Sequence, residues 1–409
     1  MYAVRAPHAF DGERFLPGGA TVVVQGERIL GVEPFEFAVP DGVEVLEFAG
    51  TVLPGLIDCH THLVADSTVG GLERPPALTD AEVDQVILTS LQAHMACGVT
   101  TVRDLGDVGY RTLGARALPG LPRVVAAGPP ITTPDGHCHF LGGAVRGTED
   151  SALRAAVLER VERGVDVVKV MASGGFATPG TDQLGAQFDA EELAVLVDEA
   201  HRAGLPLVAH AHSLVAMEYA LAAGVDGIEH FSGLSDRGAD IDDRILDDAA
   251  RQGIFVDLTM GNDRALHALM PSPPPPVAAL MARFGVDSFD EFYASRLGQL
   301  ARMRERGVRI ITGVDSGMAP PKRHGNVWRV VTEMLDAGYD AEQALTAATS
   351  TAARACHLEN ETGRLAAGYA ADVLVVAGDL SGHLHTLNQP VSVTVRGQRG
   401  LAALAGSTG

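Results

Sequence analysis

The sequence predicts an α/β chain in which a (β/α)8 barrel of the TIM type carries a small β-sandwich domain built from the N- and C-terminal segments. Three observations lead there. Between about residues 55 and 358, short apolar β-branched runs alternate with helix-patterned stretches, the mark of repeated βα units around a parallel sheet. The runs number eight, the count of a closed barrel, although an open doubly wound sheet shows the same alternation and counting alone leaves it open. Strand-like stretches near the two ends resemble one another, and pairing them into one sandwich brings the termini together. The expected division is residues 1–54 and 359–409 for the two parts of the sandwich and 55–358 for the barrel.

In chain order, Ala20–Val24, Arg28–Val32 and Val43–Glu47 are short strands bounded by Gly, Pro or Asp. The barrel strands are Leu53–Cys59, Thr100–Leu105, Arg123–Ala127, Val165–Met171, Pro206–Ala211, Gly227–Phe231, Ile254–Leu258 and Arg309–Val314. Between them, Asp80–Cys97, Ser151–Arg163, Asp189–Ala203, Leu214–Ala223, Asp242–Gln252, Ser288–Arg306 and Asn326–Ala337 repeat apolar residues every three or four positions, as a helix with one face on a core must. Gly98, Gly164, Gly204, Gly224, Gly253 and Gly307 stand where helices hand over to strands. Asp372–Val376 and Val391–Val395 return the chain to the sandwich. The run Pro271–Pro276, after the seventh strand, reads as a stiff polyproline spacer or as part of a lid over the barrel mouth.

Of the 409 residues 46% are hydrophobic and 20% charged, enough apolar surface for a large core and too little charge for disorder. Lys and Arg number 31 against 52 Asp and Glu, and the formal charge of -21 repels phosphate backbones and anionic lipid heads. Nucleic acid is therefore not an expected partner. Cys59, Cys97, Cys138 and Cys356 form no CxxC pair and read as reduced thiols of a cytoplasmic protein. No basic segment followed by an apolar core opens the chain, and no uncharged apolar stretch reaches the ~18 residues of a membrane span, so no membrane partner is expected. The expected partner is a small-molecule substrate; self-association into a homo-oligomer stays open.

The strongest local signal is Pro54-Gly55-Leu56-Ile57-Asp58-Cys59-His60-Thr61-His62, a strand ending in two histidines two residues apart. Period-two geometry puts both imidazoles on one face. In a barrel that face is the interior, at the strand end where catalytic groups collect, and two neutral imidazoles there make half of a zinc site. Lys169 interrupts the apolar run Val167-Val168-Lys169-Val170-Met171, where an unpaired ammonium carries a heavy desolvation penalty. Either a salt bridge compensates it, or the amine is deprotonated and carboxylated and serves as an anionic ligand between two cations. His210, His230 and Asp315 end the fifth, sixth and eighth strands. One histidine at a strand end is commonly structural; six metal-competent groups on five strand ends are not.

This set resembles the ligand set of the amidohydrolase superfamily in its binuclear, carboxylated-lysine form. Asp104-Leu105-Gly106, Lys169-Val170-Met171-Ala172-Ser173-Gly174-Gly175, Ala209-His210-Ala211-His212, Ile228-Glu229-His230 and Gly313-Val314-Asp315-Ser316-Gly317 are similar to its imidazolonepropionase-like and Xaa-Pro dipeptidase-like (prolidase-like) branch. The stretch from Thr362 to Val375 looks like the superfamily's return into the β-sandwich, so the likeness covers essentially the whole chain. It implies two divalent metal ions, zinc in this reading. His60, His62 and Asp315 would hold the more buried one and His210 and His230 the more exposed, bridged by a hydroxide and by Lys169 carboxylated with CO2. The implied activity is hydrolysis of an amide or peptide-like C-N bond, foremost in dipeptides or N-acyl amino acids, with Asp315 carrying the proton to the leaving nitrogen. Cyclic amides or imidazolones, carbamates, ureas and lactones are the alternative substrates, and a metal-binding protein without chemistry is the remote alternative. Deamination is disfavoured, because related deaminases carry Glu three residues after the fifth-strand His and Ser213 stands there.

His137, in Gly136-His137-Cys138-His139, and His212 join Asp315 as catalytic candidates, able to hydrogen-bond the developing oxyanion or the substrate carbonyl. His324, in a His-Gly pair similar to one in the same branch, is a further candidate. Arg103, Arg111, Lys322 and Arg323 are cations that could meet a substrate carboxylate, although surface salt bridges account for any one of them. Cys59 packs beside a ligand, and His8, His94, His201, His267, His357, His383 and His385 read as structural or solvated.

Overall fold

The structure, a computed structural model, describes residues 1–145, 147, 149–270, 272, 278, 282 and 288–400. Ser272 apart, the Pro271–Pro276 run lies outside the described residues, as do residues 401–409. Parallel strands β1 (Leu56–Thr61), β2 (Val99–Asp104), β3 (Arg123–Ala126), β4 (Val168–Met171), β5 (Leu207–Ser213), β6 (Gly227–Ser235), β7 (Phe255–Asp257) and β8 (Arg309–Ile310) form the centre. They pair in chain order within two sheets, β3-β2-β1 and β4-β5-β6-β7-β8.

At the two seams single contacts replace continuous pairing. Between β3 and β4, Ile131 forms an isolated parallel bridge with Val170, and the Asp166 N-H donates to the Ala126 carbonyl at 2.9 Å. Between β8 and β1, the Cys59 N-H donates to Thr312 O at 2.8 Å and the Asp315 N-H to His60 O at 2.7 Å. The eighth strand, expected over Arg309–Val314, is regular only at its first two residues. Gly313 lies so close to its neighbours that a Cβ there would stand 2.0 Å from Asp257 Oδ2 and 2.7 Å from His60 Cβ. Asp315 then takes a left-handed φ of 63°, which ends any extended ladder.

Seven helices, Asp80–Ala96, Asp150–Arg163, Ala190–Arg202, Leu214–Ala223, Asp243–Gln252, Phe289–Arg306 and Val327–Asp336, match the sequence expectation to within one residue at each end. Local chemistry sets those ends. Thr79 with Glu82 and Asp189 with Glu192 close reciprocal capping boxes, and Gly224 at φ 79° ends Leu214–Ala223. Leu193, Leu196 and Ala200 bury one helix face in the apolar core around the strands, each Leu contributing roughly 1.5–3 kcal/mol. No helix among the described residues is long and apolar enough to cross a membrane.

The chain ends form two further sheets. One runs Arg28–Pro34, Ala20–Gln25, Tyr2–Ala6, Glu44–Glu47; the other runs Gln398–Arg399, Pro390–Val395, Val373–Val376, Thr51–Pro54, His8–Phe10, Phe15–Leu16. Val4, Val22 and Ile29 of the first meet Val52, Val373 and Val375 of the second in a separate apolar cluster. The predicted strand Leu53–Cys59 is in fact two. Leu53 and Pro54 belong to this second sheet, and the chain breaks at Gly55, where a Cβ would stand 2.0 Å from Thr100 Oγ1.

Glu333, buried on Val327–Asp336, accepts the Gly261 N-H at 2.7 Å and so ties the loop after β7 to that helix. Burial pushes its carboxyl up to about 7, outweighing the hydrogen bonds from Tyr293 and Gly261 that pull it down. With the folded value above the unfolded one, its contribution is complete below the ordinary value of 4.5 and is lost as pH rises through about 7. Glu333→Gln keeps an acceptor and cannot ionise. It should therefore gain stability over the parent as pH rises, by on the order of 3 kcal/mol above about pH 7. Denaturation curves of the two proteins that differ equally at pH 5 and pH 8 would refute this.

Candidate active site

A cavity of about 170 Å³ opens at the C-terminal ends of the parallel strands. The six ligands expected from the sequence all line it, and so do His137 and His212.

His60, His62 and Asp315 form one donor group. The Nε2 atoms of His60 and His62 lie 3.5 and 3.2 Å from Asp315 Oδ1. Their other nitrogens are tied down: His60 Nδ1-H donates to Glu229 Oε2 at 2.8 Å and His62 Nδ1-H to Gly106 O at 2.9 Å. Such outward bonds fix the tautomer and aim Nε2 at a cation. Burial and the Lys169 charge push His60 down, but Asp257, Glu229 and Asp315 outweigh them and raise it to about 9. Burial would raise Asp315, yet the His62 hydrogen bond and the charges of His60, His62 and Lys322 hold it well below the usual carboxylate range.

His210, His212 and His230 form a second group, with ligand atoms within 4.8 Å of one another. His210 Nε2-H donates to Gly174 O at 3.2 Å, leaving Nδ1 available. His230 Nδ1 sits 2.9 Å from Thr259 Oγ1, and His212, whose Nδ1 sits 2.9 Å from Ser232 Oγ, stacks on His230 with ring centres 4.4 Å apart. Burial lowers all three, His212 to about 3, so they are neutral imidazoles at neutral pH. The sequence reading placed only His210 and His230 in this group. His137 stands beside it, its ring centre 4.5 Å from that of His210 and its Nδ1 3.0 Å from Thr178 Oγ1.

Lys169 is 1% exposed, and its Nζ has no hydrogen-bond partner among the described residues. Desolvation is the main reason its amine is lowered to about 8, against the pull of Glu229. Its charge acts on His60, His210 and His230 alike. No salt bridge among the described residues compensates it. Histidine nitrogens and a carboxylate in two groups, with an orphaned buried amine near both, are a donor set that two divalent cations fit.

Several supporting residues were missed in the sequence or read there in another role. Arg103, read as a cation that could meet a substrate carboxylate or else sit in a surface salt bridge, is fully buried and does neither: it donates to Cys59 O at 2.7 Å, to Ala355 O at 3.2 Å and to Glu229 Oε1 at 2.9 Å. Glu229 thus links Arg103 to His60. Asp257 Oδ2 lies 3.6 Å from His60 Nδ1 and has no hydrogen-bond partner among the described residues. Both carboxylates interrupt apolar strands, the same signal that pointed to Lys169. His94, read as an ordinary helix residue, is buried under the site. The Gly325 N-H donates to its Nδ1 at 3.2 Å, its Nε2-H donates to His324 Nδ1 at 3.1 Å, and His324 Nε2-H donates to Ala65 O at 2.8 Å. His324 therefore clamps the loops after β1 and β8 and does not line the cavity. Arg111 pairs on the outside with Asp80 and Asp84, Arg323 is exposed, and Lys322 lines the cavity. Ser213 caps Leu214–Ala223 by accepting the Ala216 N-H, and Cys59 packs with its Sγ 4.0 Å from that of Cys356.

Comparison with known proteins agrees with this geometry. A family model described as "Amidohydrolase family" matches residues 51–400. Imidazolonepropionase of Cereibacter sphaeroides is 27% identical over 399 residues, covering 89% of this chain and 90% of that one. Ochratoxinase of Aspergillus niger is 26% identical over 377 residues, 84% of this chain and 73% of that one. Among solved structures, a Xaa-Pro dipeptidase with methionine bound in its active site superposes with a TM-score of 0.84 at 24% identity, covering 97% of this chain and 99% of that one. The likeness implies a TIM-type barrel with an added domain.

Proposed function

The chain belongs to the amidohydrolase family, and from that premise we propose that it is a metal-dependent hydrolase of the amide or peptide-like C-N bond in dipeptides or N-acyl amino acids. The observation that carries this reading is the convergence of two histidine-rich donor groups on one orphaned, buried lysine. Zinc ions held by His60, His62 and Asp315 and by His210 and His230, with Lys169 carboxylated, would supply activation of water and polarisation of the carbonyl.

The chain's own residues account for the remaining steps. Asp315 is ionised at neutral pH with Oδ1 turned to the imidazoles, and in this reading its carboxylate takes a proton and passes it to the leaving nitrogen. His137 and His212, kept neutral by burial, line the cavity and in this reading donate to the substrate oxygen. Lys169, lowered to about 8, is in part an unprotonated amine at neutral pH, the form that combines with CO2. Leu72, Met171, Phe176, Met260 and Met318 line the cavity and suit an apolar substrate side chain. A dipeptidase of this fold that holds methionine supports that preference. All four cysteines are free, which supports a reducing, cytoplasmic setting. The imidazolonepropionase relative favours a cyclic amide as the second reading.

The test is a screen of zinc-loaded and chelated protein against apolar dipeptides, N-acyl amino acids and cyclic amides. At least one amide should be turned over, with a loss of about 100-fold or more on chelation and recovery on zinc addition. Turnover of none, or rates indifferent to chelation, would overturn the reading.

A further inference from the structure

Two cations face the cavity from the β7 and β8 side with no carboxylate paired to them among the described residues. Lys322, on the loop after β8, donates from Nζ to the carbonyls of Thr259 and, at 2.9 Å, Val314, which leaves its third N-H without a partner among the described residues. Arg296, carried by Phe289–Arg306, spends its guanidinium on the carbonyls of His230, Phe231 and Leu258 and on Gln299 Oε1. Both line the cavity. Backbone carbonyls solvate such charges without neutralising them, and buried cations are ordinarily paired. Asp315, Asp257 and Glu333 attract Lys322, and Asp257 attracts Arg296, all from beyond ion-pair distance, and Asp315 is itself turned to His60 and His62.

We propose that this wall is an anion subsite, in which the free N-H of Lys322 takes a carboxylate of the substrate while the charge of Arg296 reinforces it. The position also orients the substrate. Lys322 is bonded to the carbonyl of Val314, the residue before Asp315, so the carboxylate belongs to the half of the substrate whose nitrogen Asp315 would protonate. This orientation rests on the hydrolase reading; the subsite itself does not. The preferred amine half is an amino acid with a free carboxylate, its apolar side chain against Met318 and the neighbouring apolar wall.

Calorimetric titration of the zinc-loaded protein with L-phenylalanine and with L-phenylalaninamide needs no turnover. The acid should bind about 10- to 100-fold more tightly than the amide, the range of a charge-assisted hydrogen bond. Lys322→Met should lose that preference and Lys322→Arg should keep most of it. Equal binding of acid and amide by the parent, failure to bind either, or a preference that survives Lys322→Met would overturn the subsite. If Lys322→Met does not fold, the parent contrast and the Arg variant decide. Should the preference hold while no amide in the screen is hydrolysed, the hydrolase reading falls and the subsite stands.

Discussion

Asp315→Asn should slow turnover by about 10²- to 10⁴-fold while bound metal falls far less, because the substitution separates holding a cation from moving a proton. Asn keeps an oxygen where Oδ1 now lies near His60 and His62. It also suits the backbone: the position has φ 63°, a conformation that Asn and Asp tolerate better than most side chains, and its N-H still reaches His60 O at 2.7 Å. What Asn cannot do is take up a proton and release it. The acid limb of the parent's rate profile should report an apparent pKa shared by Asp315 and the water it serves, belonging to neither alone. Single-turnover rates within a few-fold of the parent at equal metal occupancy would move the proton transfer elsewhere, with His137 and His212 the next residues to replace.

Lys169→Ala should abolish measurable turnover and lower the metal content together. The reason lies in what the amine lacks. It is buried without a hydrogen bond among the described residues, so it adds nothing to stability as it stands, and its removal should not lower the melting temperature of the metal-free protein. If its role is to become an anionic ligand, function should go while the fold stays. A short carboxylic acid such as acetate, added to the variant with bicarbonate, should restore part of the activity by occupying the vacated space. Normal turnover and metal content in Lys169→Ala would make the lysine structural.

The residues the sequence made legible share one property: each carries its signal locally. His60 and His62 sit two apart at a strand end, Lys169 breaks an apolar run, and His210, His230 and Asp315 close strands whose β-branched pattern is read over a few positions. Helix ends were equally legible, because capping boxes are written within four residues. What stayed hidden was made by pairs far apart in the chain. Arg103 reaches Glu229 across 126 residues and His94 meets His324 across 230, and no periodicity announces such partners. Hence Arg103 looked like a surface cation and His94 like filler. The shortness of β8 was hidden for a related reason: Gly313 is held against Asp257 and His60, neighbours in space only. Tyr2–Ala6 and His8–Phe10 were missed because Pro7 breaks a run already too short to show alternation.

The seam between β1 and β8 also dictates when the site can exist during synthesis. Thr312 Oγ1 donates to Ile57 O across 255 residues, and the same stretch joins the backbones of His60 and Asp315. At about 5–20 residues per second a ribosome needs roughly 10–50 s to travel that distance. Throughout that interval His60 and His62 have emerged without their carboxylate, and the open edge of β1 has no neighbour on that side. The sheet that includes Thr51–Pro54 waits longer still, until Val373–Val376 arrives. If the first donor group holds a cation, its capture is therefore a late event, and a nascent chain stopped before residue 315 offers a cation the His60–His62 pair alone from that group.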